Sequence, residues 1–319
     1  MKKFFALLLT LAMALSLAAC GGGNDAPADS GNDAGTTAPA DTGSDASAPA
    51  DTTPDYGAMT LDELKPLITT VTSGKLTVAT SPDFAPYEFY SIGEDGTPTL
   101  AGFDMALAQY IADFLGLELN PVPIDFDGVL MELSTKSVDL GMAGLSPDPA
   151  REGIMDFSDI YYLGGQSFVT VKGNEDKFPD LASTNNADYQ IGAQIGSIQV
   201  DLMQENSPDA QQIQLSKVTD IIMELLAGKL DGAYIETAVA ESYAVNYPDL
   251  AIVLDVPYDV AGSAIGVQKD NPALLAAVNL AIAAAVEDGS MDAFVAEANE
   301  LASGSTYEGL LDENGQTQG

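Results

Sequence analysis

The stretch DFDGVLMELSTKSVDLGMAGLSPDPAREGIMDFSDIYY, Asp125 to Tyr162, decides the fold. Its first part reads as a helix from about Asp127 to Thr135, and its middle, VDLGMA, as a strand. That strand runs into Ala143, Gly144, Leu145 and Ser146, then into a segment of turn formers that contains Arg151. Arg151 is the only arginine in 319 residues. The remaining basic residues are lysines, and 48 acidic residues stand against 11 basic ones in all. In open α/β sheets ligands gather beyond the carboxyl ends of strands. A lone guanidinium there is a candidate grip for a carboxylate, which it binds through two parallel N–H donors. The competing reading is an ion pair with Asp148, Asp156 or Asp159. Asp156 and Asp159 read as caps and turn formers.

Working outward, Leu76 to Thr80 (LTVAT) is a predicted strand, followed by the loop SPDFAP and a hairpin turning at Glu94-Asp95-Gly96. Asp104 is expected to cap a helix with apolar positions at Leu107, Ile111, Phe114 and Leu115, closed by Gly116. A strand follows around Leu117 to Val122. Upstream, Thr60-Leu61-Asp62-Glu63 has the capping-box pattern, so order should begin near Thr60. Strand and helix keep alternating, which predicts an α/β fold with largely parallel sheets. There is also an internal echo. ELSTKSVDLG begins at Glu132 and ELLAGKLDGA at Glu224, and in each a helix ends, the chain turns and a strand starts. The pattern points to two lobes on one plan. The second copy leads into Ala233-Tyr234-Ile235-Glu236-Thr237. Lobe one therefore offers a cation at its strand end and lobe two a carboxylate, a complementary pair for a zwitterion.

Composition narrows the chemistry. The chain has no histidine and a single cysteine, Cys20, so no Ser-His-Asp or Cys-His catalytic arrangement can form and a zinc site is not expected. A net charge of −37 repels nucleic acid phosphates and anionic headgroups. The opening MKKFFALLLTLAMALSLAAC has two lysines, then an apolar run of the length of a secretory signal rather than of a bilayer span. It ends in Leu17-Ala18-Ala19-Cys20, which resembles the lipobox of bacterial lipoproteins, whose cysteine is lipidated after cleavage just before it. The Gly-, Ala-, Pro-, Asp-rich stretch after Cys20 cannot bury enough apolar surface to offset the entropy of ordering it, and reads as a disordered tether. Asp41-Thr42-Gly43-Ser44 matches the aspartic-protease signature, but it stands in low-complexity sequence without a second copy.

The motifs FAPYEF (Phe84 to Phe89), GFDMALAQYIADFLG (Gly102 to Gly116), Asp125 to Tyr162, IGAQIGSIQ and GKLDGAYIETAVA resemble, in order, those of the family 3 solute-binding proteins, the polar amino acid receptors of ABC importers. The resemblance implies a type II periplasmic-binding-protein fold: two lobes, each a mostly parallel sheet flanked by helices, joined by a two-strand hinge. It implies that Arg151 takes a ligand α-carboxylate with Ser146, and that Gly144 offers a carbonyl and Glu236 a carboxylate to the α-ammonium. The family more often has Asp at the position of Glu236. Phe84 and Phe126 match the aromatic pair that sandwiches the side chain; the alternative for them is plain core. Gln194, Ile198 and Gln199 match the lobe-two turn beside the ligand, although the last two depart from the small residues often found there. The family's basic-amino-acid receptors often carry an acid early in the first loop, where this chain has Ser81, with Asp83 two residues on.

The implied organisation is a signal peptide over 1–19, a lipidated Cys20 and acidic linker over 20–58, lobe 1 over 59–165 plus 260–303, lobe 2 over 166–259 and a tail over 304–319. The crossings between lobes are placed near Gly164–Ser167 and Tyr258–Ser263, where Gly164, Gly165 and Gly262 can absorb dihedral change. The expected partners are a free amino acid, an ABC permease and the membrane reached through N-terminal lipid. A monomer, with no catalytic residue, cofactor, metal or nucleic acid, is expected. The alternatives are a sensory protein docking on a receptor, and an enzyme resembling the cyclohexadienyl dehydratases of the same fold.

Overall fold

The computed structural model describes residues 54–259, 262–304 and 306–307. The expected signal segment, Cys20, the linker up to Thr53, Val260 and Ala261 in the second crossing, and the tail beyond Tyr307 lie outside the described residues.

In chain order the elements are α1 (Leu61–Leu64), β1 (Lys75–Thr80), β2 (Asp83–Phe84), β3 (Glu88–Ile92), β4 (Pro98–Ala101), α2 (Phe103–Leu115), β5 (Glu118–Pro123), α3 (Phe126–Ser134) and β6 (Leu140–Gly141). There follow β7 (Met155–Tyr162), β8 (Gln166–Val171), β9 (Gln190–Gln194), α4 (Ile198–Asn206), β10 (Gln211–Leu215), α5 (Val218–Leu226), β11 (Gly232–Glu236), α6 (Thr237–Asn246), β12 (Leu250–Val256) and β13 (Ser263–Gln268). The chain then runs through α7 (Pro272–Glu287), α8 (Ser290–Ala302) and β14 (Thr306–Tyr307).

Two five-stranded sheets carry the architecture. The first has the order β5-β1-β6-β13-β7 and the second β10-β9-β11-β8-β12. In each, the first three strands run parallel, the fourth runs against them and the fifth, paired antiparallel with the fourth, returns to their direction. The parallel strands are joined by helices, as a parallel connection requires. The antiparallel pairs are the strands that carry the chain between sheets, outward from β7 to β8 and back from β12 to β13. The echoed segments fall at equivalent places: the end of α3 before β6, and the end of α5 before β11. A third, smaller sheet, β14-β3-β2 with β4 on β3, is the predicted hairpin extended by the chain's late strand.

Local chemistry accounts for the ends of the helices. Thr60 and Glu63 form the capping box, the Thr60 N–H donating to Glu63 Oε2 at 2.8 Å. α2 closes on Gly116 in the left-handed conformation, and Leu107, Ile111 and Leu115 are buried. One expectation is corrected. Asp104 does not cap α2. Gly102 holds the cap position, with no side-chain acceptor, and Asp104 lies fully buried in the first turn. It is drawn inward because its carboxylate has donors in the core, described below. One apolar cluster runs through both lobes, uniting Leu76, Leu107 and Ile265 with Ile221, Ile235 and Tyr243. Two smaller ones belong to lobe 2 and to the α3 side of lobe 1.

Candidate functional site

The candidate charged residues lie at or after the ends of β6 and β11, where Arg151 bonds to Gly196 and Tyr87 bonds to Glu236 between the lobes. In lobe 1, β6 delivers the chain to Gly144, which adopts φ +56°; a Cβ there would stand 2.6 Å from Phe84 Cε1. Only glycine fits both the backbone and the aromatic ring beneath it. Asp104 holds this turn from below. The Gly144 N–H donates to its Oδ2 at 3.1 Å and the Tyr161 hydroxyl to its Oδ1 at 2.6 Å. Burial outweighs these bonds and raises the Asp104 carboxyl to about 6. Beside it, Glu88 is fully buried, and neither carboxyl oxygen has a partner at ordinary hydrogen-bond geometry. Burial, with the charges of Asp104 and Asp83, pushes Glu88 well above the usual carboxylate range. A proton on Glu88 would let it donate to Asp104.

Arg151 sits at the end of a short 3-10 turn and is 8% exposed, the only buried cation among the described residues. Its Nε lies 3.6 Å from Asp148 Oδ2, and its Nη2 donates to the Gly196 carbonyl of lobe 2 at 3.0 Å. The surface pairing with Asp148 is thus half of the geometry: the guanidinium is buried and also reaches across to the other lobe. Burial pulls its pKa down, with Asp148 opposing. Ser146, 7% exposed, lies between Gly144 and Arg151 on the same segment.

In lobe 2, Glu236 ends β11 and is 3% exposed. It is the N-cap of α6, its Oε2 accepting from the Val239 N–H at 2.9 Å. Its Oε1 accepts from the Tyr87 hydroxyl of lobe 1 at 3.2 Å and from the Gly165 N–H at 3.4 Å. This helix start lies in the interior rather than in solvent. Burial raises the carboxyl to about 7, against the bonds from Val239 and Tyr87. A Cβ on Gly164 would stand 2.6 Å from Glu236 Oε1, so the first crossing passes directly over the carboxylate.

Phe84 and Phe126 are both buried, Phe84 in the cluster shared by the lobes and Phe126 in the α3 cluster of lobe 1. Gln194 is buried and donates to Asp83 Oδ2 at 3.3 Å and to the Ser216 carbonyl at 3.1 Å. Ile198 packs in the lobe 2 core with Ile191 and Met203. Gln199 donates to Gln166 Oε1 at 2.7 Å.

Sequence reasoning missed several partners. Tyr87, within FAPYEF, touches Phe84 and Phe103 with centroids at 5.4 and 4.3 Å, donates to Glu236 and accepts from the Ser263 hydroxyl at 3.2 Å. Its position beside Phe84 in the motif was the available signal. Asp83, which attracted notice only for its distance from Ser81, is 7% exposed. Burial raises its carboxyl to about 6, although Ser81 and Val218 donate to it.

Two lobes, each with a sheet of the same strand order flanked by helices, define a binding protein of the periplasmic type, and comparison with known proteins agrees. Residues 76–297 match the bacterial extracellular solute-binding proteins, family 3, and the chain belongs to that family. It is 33% identical over 202 residues to the arginine-binding extracellular protein ArtP of Bacillus subtilis (strain 168), covering 62% of this chain and 75% of that one. An amino acid ABC transporter substrate-binding protein from Streptococcus pneumoniae Canada MDR_19A, solved bound to L-arginine, superposes with a TM-score of 0.68 at 33% identity, covering 75% of this chain and 97% of that one. An ancestral amino acid-binding protein, AncCDT-1, a precursor of cyclohexadienyl dehydratase, superposes at 0.63 with 28% identity, covering 75% and 99%.

Proposed function

We propose that this chain captures a free amino acid between its lobes outside the cytoplasm, held to the membrane by lipid on Cys20, and delivers it to the permease of an ABC importer. One observation carries this reading. The buried guanidinium of Arg151, on the 3-10 turn between β6 and β7, and the buried carboxylate of Glu236, at the end of β11, belong to separate lobes, and each hydrogen-bonds across to the opposite lobe. A zwitterion between them exchanges these substitutes for its own carboxylate and ammonium. Arg151 and Ser146 take the carboxylate, Gly144 and Glu236 the ammonium, and Phe84 and Phe126 flank the side chain, with Gln194, Ile198 and Gln199 along the lobe 2 rim. Burial strengthens each charged contact relative to an open surface.

The moving units are lobe 1 (59–165 plus 260–303) and lobe 2 (166–259), pivoting at Gly164–Ser167 and Tyr258–Ser263. The first ligand to test is L-arginine, because ArtP is named for it and the pneumococcal protein was solved with it. Isothermal titration against the twenty amino acids is the test. A saturable one-to-one heat for one or a few of them is expected, and its absence for all twenty overturns the reading. Continuing heat with product formation identifies an enzyme instead.

A further inference from the structure

Helix α5 begins without a cap of its own. Lys217 occupies its N-cap position and makes no side-chain cap bond, although the first N–H groups of any helix have no partner within it. The missing acceptor comes from the other lobe. Asp83, on β2 of lobe 1, accepts from the Val218 N–H at 2.6 Å through Oδ2. The same oxygen accepts from Gln194 Nε2 at 3.3 Å, also in lobe 2. Oδ1 is fixed within lobe 1 by the Ser81 hydroxyl at 2.8 Å, and the backbone carbonyl of Asp83 accepts from the Tyr243 hydroxyl of lobe 2 at 3.0 Å. A side chain locked in place by its own lobe thus completes a helix of the other, with the sign of charge that a helix N-terminus favours.

We propose that Asp83 is the latch of the closed form, a positioning residue that caps α5 across the lobe interface and thereby sets how long the lobes stay shut. The inference rests on the reading that the lobes open and close. Parting them breaks the bonds to Val218, Gln194 and Tyr243 together and returns the α5 terminus and the carboxylate to water. The latch touches no ligand atom assigned above. Its contribution therefore appears in the lifetime of the closed complex and not in the encounter rate.

Two measurements on the full chain test it. In the first, L-arginine binding is followed by stopped flow. D83A should dissociate roughly 10- to 100-fold faster, the loss of a charge-assisted bond that leaves a buried N–H unpaired, with association changed less than about threefold. D83N keeps an oxygen acceptor for Val218 and should stay within about fivefold of wild type. In the second, spin labels at Thr135→Cys and Glu205→Cys, both exposed positions in separate lobes, in a chain carrying Cys20→Ser, report the distance between lobes without ligand and with L-arginine. D83A should move population towards the longer distance. Unchanged dissociation and unchanged distances overturn the latch, as does a D83N variant as impaired as D83A. If wild type fails to bind L-arginine, the ligand assignment falls and the ligand-free distances alone decide the latch. If D83A fails to fold, D83S is compared with D83N in the same two measurements.

Discussion

The two lobes share one strand order and one pattern of parallel and antiparallel pairs, yet they present opposite chemistry at their carboxyl ends. Lobe 1 ends in a glycine turn over Phe84 and Tyr87, followed by the chain's single arginine. Lobe 2 ends in a carboxylate that doubles as a helix cap, with Gln166 as its cross-strand neighbour. Burial acts on both charges in the direction that disfavours ionisation: down for Arg151 and up for Glu236. The lesson is that a repeated scaffold supplies the approach of two strand ends, and a few residues beyond those ends supply the charge complementarity. The lobes also differ in what supports the charge. Arg151 has a neighbouring acid, Asp148, and a backbone carbonyl of the opposite lobe, whereas Glu236 accepts from the Val239 N–H of its own lobe, the Gly165 N–H of the first crossing and a tyrosine of the opposite lobe.

Four substitutions break or sharpen that contrast. The largest effect is expected for Arg151→Ala, which removes the only buried cation among the described residues. Amino acid affinity should fall by about 2–5 kcal/mol or more, while the melting temperature of the ligand-free chain stays close to wild type. Retained affinity in calorimetry would break the comparison at its positive end.

Glu236→Gln is expected next. The amide keeps an oxygen for the α6 cap but loses the charge proposed to face a ligand ammonium, so affinity should drop roughly 10- to 100-fold, the scale of a hydrogen bond to a charged group. Its pH profile sharpens the test. With the Glu236 carboxyl at about 7, wild-type affinity should climb as pH rises towards and through 7, by up to about tenfold per unit on the acid side. E236Q should lose that climb. An equal slope in both proteins would assign the titration elsewhere.

Gly144→Ala probes the lobe 1 turn, which has no counterpart beside Glu236. A Cβ there meets the Phe84 ring and a left-handed backbone, so thermal unfolding should show a loss of at least about 1–2 kcal/mol. The smallest effect belongs to Glu88→Gln. The fold raises this carboxyl well above its unfolded value, so its stabilising contribution is full below the ordinary carboxylate range and is lost as pH rises from there. The amide needs no proton. E88Q should therefore match wild type near pH 4 and melt higher at neutral pH, by about 2–4 °C for each kcal/mol recovered. A loss of stability at neutral pH that disappears near pH 4 would show that Glu88 works as an anion.

Much of this was legible in residue order. The hydrophobic periods of α2 and α3, Gly116, the Thr60–Glu63 box and the Glu94–Gly96 hairpin all follow from interactions within a few residues, and the structure realises them within one or two positions of the expected ends. The motif series placed Arg151 and Glu236 at strand ends. Asp104 was misjudged because its N-terminal helical setting suits a cap, and nothing nearby in sequence announces Tyr161 or Gly144 as its donors. Tyr87 and Asp83 were passed over for the same reason: their partners lie 149 and 135 residues away.

The sequence by itself determined the class of fold, the two-lobe plan and the two opposite charges available to a dipolar ligand, because periodicity, turn chemistry and composition act over short distances along the chain. The tertiary structure alone decided which acids are buried, in which direction burial moves their pKa values, and which side chain of one lobe completes a helix of the other. Those outcomes depend on desolvation and on hydrogen bonds between segments brought together only when the sheets pack.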